Sequence, residues 1–268
     1  MRKTEARLRA VDSKLNVAFF TPSEIPPTVF YPCGIGAVDE FLGGGLPAGR
    51  IIELYGPEAI GKTTLALQFK PEVFVDVERT AESRWFDKFS PETEVICQKK
   101  GERMASEDVW DVLAAAAQAN VRLVVVDSLG AMVSKSQLAD REGYAPLARD
   151  VSRNLRRLIP MLDKTTILFI NQVRMVVGSS IPNLMTSPGG KFFLHVCTQR
   201  VEMKWCGQWI KYSEAKVGHG ARLYLRKNKV GRCEYDTTIY LGYEMGFFET
   251  EDALKKAYRD LRKIRATA

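Results

Sequence analysis

Residues 56–64 read Gly-Pro-Glu-Ala-Ile-Gly-Lys-Thr-Thr, two glycines five apart with Lys-Thr directly after the second. The run follows an apolar stretch, GRIIELYG (49–56), and opens onto helix-prone residues, the context in which such a loop wraps a phosphate chain. Gly56 and Gly61 lack a Cβ, so backbone amides can curl around phosphate oxygens, with Pro57, Glu58, Ala59 and Ile60 spanning the loop. Lys62 would neutralise the β- and γ-phosphates, and Thr63 would offer its hydroxyl to Mg2+. Thr64 follows within a helix whose N-terminal amides face the anion. The chemistry implied is binding of a nucleoside triphosphate.

Further polar groups collect at the ends of apolar runs. VRLVVVDS (121–128) ends in Asp127-Ser128, and an acid at the carboxyl end of a buried strand lies where α/β sheets bind ligands. There Asp127 would hold Mg2+ through its water shell; the alternative is a cap for the turn that follows. In VFVDVE (73–78), Asp76 and Glu78 are two apart and share a strand face. One of them could orient or deprotonate the water attacking the γ-phosphate, or both could be solvated strand-end acids. TTILFINQ (165–172) ends in Asn171-Gln172, amides able to sense a γ-phosphate. The following stretch, RMVVGSSIPNLMTSPGG (174–190), is long for a loop in a compact domain, hence functional or disordered. Its aliphatic residues Val177, Ile181, Leu184 and Met185 could wedge between unstacked bases.

The elements that position these groups are apolar strands alternating with helices near 107–119 and 145–162, the pattern of a mostly parallel sheet covered on both faces. After residue 197 the runs RVEMKWCG, QWIKYS, ARLYLRKN and CEYDTTIYLG alternate and turn polar on one side, as antiparallel ribbons at a sheet edge do. Residues 1–12 are charged and helix-prone, and 21–35 read as a proline-rich linker. At 268 residues and 46% hydrophobic, the chain has ample material for a core. Its net charge of +7 is uneven. Nine basic residues between Arg200 and Arg232 face only Glu202 and Glu214, so this stretch suits a polyanion or forms a solvated face. No apolar run approaches the length of a membrane span, and the first residues lack the apolar core of a secretory signal. Five cysteines without a Cys-x-x-Cys pair, and His195 and His219 as the only histidines, argue against zinc and disulfides. A reducing, intracellular compartment is the expectation.

Over roughly residues 32–242 the chain resembles bacterial or phage RecA-type recombinases. The resemblance rests on GIGAVDEFLGGGLPAGRIIELYGPEAIGKTTLAL, FINQVRM and RKNKV. DnaB-type helicases and KaiC-like proteins share mainly the phosphate loop and the strand aspartate. The resemblance implies a RecA-like α/β core at 32–250, an N-terminal arm and linker at 1–31 and a basic tail at 251–268. It makes Glu78 the catalytic glutamate and Gln172 the γ-phosphate sensor. Trp85 would lie against adenine and Glu82 near the nucleoside, while Lys227 and Lys229 would reach a neighbouring subunit's ATP. Residues 134–146 and 175–190 match two DNA-binding loops. Arg149, Arg156 and Arg174 match a primary DNA groove, together with Val177, Gly178, Ser179, Ile181, Asn183, Gly189 and Gly190 of the second loop; Arg222 and Arg226 suit a secondary site.

Three departures stand out. Only fifteen residues separate Lys62 from Glu78, so the helix after the phosphate loop is expected to span about two turns. The family's small C-terminal domain is not matched, and a basic end replaces its acidic tail. The N-terminal arm is short, with Leu8, Val11 and Leu15 as apolar anchors in a helix over 4–15. The implied activity is that of an ATP- and Mg2+-dependent recombinase, cytoplasmic and of bacterial or phage origin, without a membrane. It would bind single-stranded DNA, engage duplex DNA during exchange, and assemble into a helical filament. The rivals are a ring-forming helicase-like motor and a mediator that binds ATP and DNA with negligible hydrolysis.

Overall fold

The computed structural model describes residues 3–11, 17–18, 20–138, 147–175 and 185–267. Its centre is a nine-stranded sheet of β1 (Ile51–Gly56), β2 (Val73–Asp76), β3 (Glu94–Cys97), β4 (Leu123–Asp127), β5 (Thr166–Gln172), β6 (Gln199–Tyr212), β7 (Ala215–Asn228), β8 (Tyr235–Gly242) and β9 (Gly246–Phe248). The spatial order is β9-β8-β7-β6-β1-β5-β4-β2-β3. From β6 to β3 every pairing is parallel, and from β6 out to β9 every pairing is antiparallel. The expected parallel sheet with an antiparallel edge is what the chain forms.

Composition explains the division. Every residue of β1 and β4 is buried, so their near-continuous aliphatic runs are covered on both faces. One face receives α2 (Gly36–Leu42), α3 (Lys62–Gln68) and α4 (Ser83–Phe89), through residues such as Phe41, Leu65 and Phe86. The other receives α5 (Ser106–Gln118), α7 (Leu147–Leu158) and α8 (Gly190–Val196), where Phe169 lies between Trp110 and Phe193. Outside these layers stand the N-terminal helix α1 (Lys3–Val11), the short α6 (Lys135–Leu138) and the C-terminal α9 (Glu251–Thr267).

Four features differ from the sequence reading. First, β2 stops at Asp76 instead of running to Glu78. The Val77 and Glu78 amides both turn in to donate to the Asp127 carbonyl, so Asp76 and Glu78 do not share a strand face. Second, β3 was not anticipated, because an edge strand with three of its four residues exposed has no apolar signature. Third, RVEMKWCG and QWIKYS form one strand, β6, with a register break between Trp205 and Trp209 where it pairs with β7. Fourth, the basic tail is the helix α9: Glu251 and Asp252 lie in its first turn, Leu254 is fully buried, and Tyr258 packs on Tyr212 at 5.3 Å. Helix α3 has the two turns expected of it.

Candidate active site

At the carboxyl ends of β1, β4 and β5 lies a cleft of about 470 Å³. The phosphate loop supplies Glu58, Ala59, Gly61, Lys62, Thr63 and Thr64 to its lining. Gly61 caps α3 with φ +98°, and a Cβ there would fall 2.7 Å from Phe247 Cζ. Glycine therefore serves two ends, a left-handed backbone and close approach to an aromatic ring. Gln68 at the far end of α3 exchanges two hydrogen bonds with the Phe247 backbone, accepting from its amide at 2.8 Å and donating to its carbonyl at 3.3 Å. Lys62 Nζ donates to the Gly56 and Pro57 carbonyls at 3.0 and 2.6 Å, closing the loop on itself. Burial holds the Lys62 ammonium below its ordinary pKa, against the opposing pull of Asp127, Glu58 and Glu78.

Thr63 Oγ1 donates to Asp127 Oδ2 at 2.7 Å, joining the start of α3 to the end of β4. Burial pushes the Asp127 carboxyl up to about 6, with the Thr63 hydrogen bond opposing it. A hydroxyl and a carboxylate side by side form a hard-oxygen donor pair that fits Mg2+. Glu78 lines the cleft, and its Oε1 accepts from Ser128 Oγ at 2.5 Å. Asp76, the companion acid, plays a different part. Its carboxylate is buried and accepts from the Thr80 and Ala81 amides, fixing the bend that carries Glu78. Gln172 reaches the cleft from the end of β5, whereas neighbouring Asn171 is fully buried away from it.

Trp85 lines the cleft from α4, stacked on Phe89 with Arg84 above its ring at 5.0 Å. Glu82 does not line it: as N-cap of α4 its carboxylate pairs with the Arg84 guanidinium at 2.7 Å. Sequence reasoning missed the lining residues Thr80, Arg84, Tyr243, Glu244 and Gly246. Tyr243 and Glu244 come from the β8–β9 turn and Gly246 opens β9, and their signal was only a Gly-Tyr-Glu-Met-Gly run far along the chain.

The other sequence-predicted residues lie elsewhere. Lys227 Nζ donates to the Leu194 and His195 carbonyls and Lys229 Nζ to that of His195, so both ammoniums sit at the C-terminal end of α8 and not in their own chain's cleft. Arg149 is exposed beside Asp150 and Arg153 in a separate depression of about 250 Å³, and Arg156 lies 4.2 Å above the Phe192 ring. Arg222 pairs with Asp236 at 2.7 Å and Arg226 with Glu202 at 2.6 Å, both near Tyr224. Gly189 and Gly190 have positive φ, and a Cβ on Gly190 would lie 2.5 Å from Ala148 Cβ, so they let α8 close on α7. The Arg174 backbone pairs with Thr186 in a two-residue ribbon. Val177, Gly178, Ser179, Ile181, Asn183 and Leu184, with Leu15 and residues 139–146, lie outside the described residues.

Residues 26–248 match the family described as the RecA N-terminal domain. Protein RecA of Thermus thermophilus is 35% identical over 228 residues, covering 79% of this chain and 66% of that protein. Protein RecA of Oceanobacillus iheyensis is 32% identical over 247 residues, covering 87% and 70%. The chain thus spans about two thirds of the length of these curated relatives. Among solved structures, the crystal structure of the RadB recombinase matches with a TM-score of 0.61 at 19% identity, covering 82% of this chain and all of that one.

Proposed function

Starting from a chain that belongs to the RecA family, we propose an ATP-dependent recombinase that binds single-stranded DNA and assembles into a helical filament for homologous pairing and strand exchange. The observation that carries this reading is a division of charge. Lys62, Thr63, Asp127, Glu78 and Gln172 meet in one cleft, while Lys227 and Lys229 lie outside it, held at the end of α8. A cleft with a base and a phosphate-binding lysine, and a lysine pair presented elsewhere, suits hydrolysis completed between two copies of the chain.

The phosphate loop and Lys62 bind and orient the triphosphate, and Trp85 meets the base. Mg2+, held by Thr63 and Asp127, supplies charge neutralisation on the phosphate oxygens when bound. Glu78, fixed by Ser128, takes a proton from water as its oxygen attacks the γ-phosphorus; the bond to the β–γ bridging oxygen breaks, leaving ADP and phosphate. The neighbour's Lys227 and Lys229 meet the negative charge that develops on the transferring group. Gln172 reads the γ-phosphate, and the 175–190 segment that follows it grips DNA.

In this reading residues 32–250 form the ATPase core, 1–31 an arm toward a neighbour, and 251–268 an appendage to the sheet edge. Arg149, Arg156 and Arg174 approach the primary strand, duplex DNA enters during exchange, and the cellular setting is a bacterial cytoplasm. No described helix is long and apolar enough to cross a membrane. Phosphate contacts dominate affinity, so DNA binding weakens steeply with salt. The test is ATP hydrolysis with and without single-stranded DNA, combined with imaging of the complex formed with a non-hydrolysable ATP analogue. DNA-stimulated hydrolysis and open helical filaments are expected; closed rings, or hydrolysis indifferent to DNA, would overturn the reading.

A further inference from the structure

Outside the cleft lining a carboxylate is buried where no phosphate or metal would use it. Glu53, in the middle of β1, has 0% exposure, and its two oxygens accept from different neighbours. Asn171 Nδ2 donates to Oε1 at 2.8 Å, and Arg200 Nε donates to Oε2 at 2.6 Å. The strand register dictates this grouping: Glu53 pairs with Arg200 on β6 and with Phe169 on β5, and Asn171 is the next residue of β5 on the same face.

Each donor passes a second hydrogen bond to the same short segment. Asn171 Nδ2 also donates to the Pro188 carbonyl at 3.2 Å, and Arg200 Nη2 donates to Ser187 Oγ at 3.3 Å. Two successive residues at the end of the 175–190 segment are thus hung from one carboxylate by two arms. One arm is the residue directly before Gln172, which lines the cleft. The Arg200 guanidinium lies over the Tyr55 ring, 4.9 Å from its centroid, and its fork is directed by the bonds to Glu53 and Ser187.

Stability is weak ground for this arrangement, because well-packed apolar residues in place of a buried ion pair are often as stable or more so. The set is also incompletely satisfied: Asn171 Oδ1 is buried without a hydrogen-bond partner among the described residues. A buried acceptor left unpaired carries a desolvation cost, and exchanging the two ends of the amide would not remove it, because Oδ1 would then face the acceptor oxygens of Glu53 and Pro188. Coupling between two sites is carried by hydrogen-bonded networks of this kind, and this one runs from the residue before Gln172 to Ser187 and Pro188.

We propose that Glu53 and Arg200 are positioning residues that couple the nucleotide state read at Gln172 to the placement of Ser187 and Pro188, and through them to DNA affinity. This rests on the recombinase reading. Neither residue touches nucleotide or DNA in it, so their loss leaves each site intact and uncouples the two.

The test measures single-stranded DNA affinity of the full chain by fluorescence anisotropy of labelled oligothymidylate, with a non-hydrolysable ATP analogue and with ADP. Arg200→Lys keeps the charge but cannot hold Glu53 and Ser187 with one rigid fork. Glu53→Gln keeps the shape and turns one acceptor into a donor. The wild type is expected to bind DNA at least about tenfold tighter with the analogue, a coupling in the ordinary allosteric range. In both variants that ratio should fall below about threefold while nucleotide affinity stays within about twofold, since only the coupling is removed. Measuring two variants guards against one of them failing to fold. A ratio unchanged in a folded variant overturns the relay alone. A wild type without nucleotide-dependent DNA binding overturns the recombinase reading and the relay together.

Discussion

Lys62 at the head of α3 is buried and donates to two carbonyls of its own loop, whereas Arg222 and Arg226 on β7 are half exposed and each is paired with a carboxylate of the same ribbon. The sheet therefore holds its cations in two ways. At the parallel end they are few, desolvated and aimed by backbone geometry, so each carries a large interaction in a medium of low dielectric. At the antiparallel end they are many and solvated; Lys204, Arg222 and Arg226 are compensated by Glu202 and Asp236, so each of these three contributes little and is screened by salt. Net charge is a poor guide to which residues do chemistry: the stretch holding the whole formal excess mixes these screened surface charges with Arg200, Lys227 and Lys229, each held by hydrogen bonds to other elements.

That contrast is broken or sharpened by substitution. The largest effect is expected at Glu78→Gln, which should slow hydrolysis by about 10²- to 10⁴-fold while nucleotide binding persists. Steady-state phosphate release and binding of a fluorescent nucleotide would measure the two separately, and a parallel loss of both would show that Glu78 serves binding instead. Next come Lys227→Ala and Lys229→Ala together, residues of the ribbon by sequence that the proposed reading assigns to a neighbour's cleft. Hydrolysis should drop about 10²- to 10³-fold, as when a transition-state donor is removed. Mixing this double variant with Glu78→Gln should restore hydrolysis, because some interfaces then hold an intact Glu78 opposite intact lysines. Absence of rescue would return the lysines to the ribbon.

The third prediction concerns pH. Burial raises the Asp127 carboxyl from 3.8 to about 6, so the unfolded chain gives up this proton first as pH rises. Between pH 3.8 and about 6 the native state holds more protons, stability falls with rising pH, and above that window the full cost of the buried anion is present. Asp127→Asn should therefore raise the melting temperature at pH 7.5 by about 2–4 °C per kcal/mol recovered, with no gain at pH 3.5. Mg2+-dependent nucleotide affinity should fall in the same variant. A lower melting temperature at pH 7.5 would show the anion to be stabilising. The smallest effect belongs to Arg222→Ala with Arg226→Ala: DNA affinity should weaken by less than about fivefold, as exposed paired charges allow, and the loss should shrink at high salt.

The two ends of the sheet were also unequally legible. The phosphate loop is readable because its chemistry is local: glycines, lysine and threonine adjoin in sequence and in space. Asp127 was readable because an aliphatic strand ends on it. Asp76 and Glu78 were indistinguishable as text. They separate only because the Asp127 carbonyl draws in the amides of residues 77 and 78 and the Asp76 carboxylate caps the bend. Glu82 stands outside the cleft lining, its carboxylate paired with Arg84 two residues on, a local contact that the residue types alone do not reveal. Tyr243 and Glu244 were invisible, since their place in the lining depends on β8 and β9 folding back against α3 from nearly two hundred residues away. The Glu53 grouping was hidden for a related reason: strand register, not spacing, brings 53, 171 and 200 together.

The close approach of Gly61 to the Phe247 ring, with the two hydrogen bonds exchanged between Gln68 and the Phe247 backbone, sets a limit on how the gene can be divided. The phosphate loop and its helix rest on the last strand of the sheet, although the two are encoded far apart. A fragment ending after β7 would carry the whole motif and lack the floor beneath it. A chimaera that exchanges the end of the chain with a relative's would inherit the loop from one parent and its support from the other. Such hybrids should function only when position 61 and the ring at position 247 descend from the same parent.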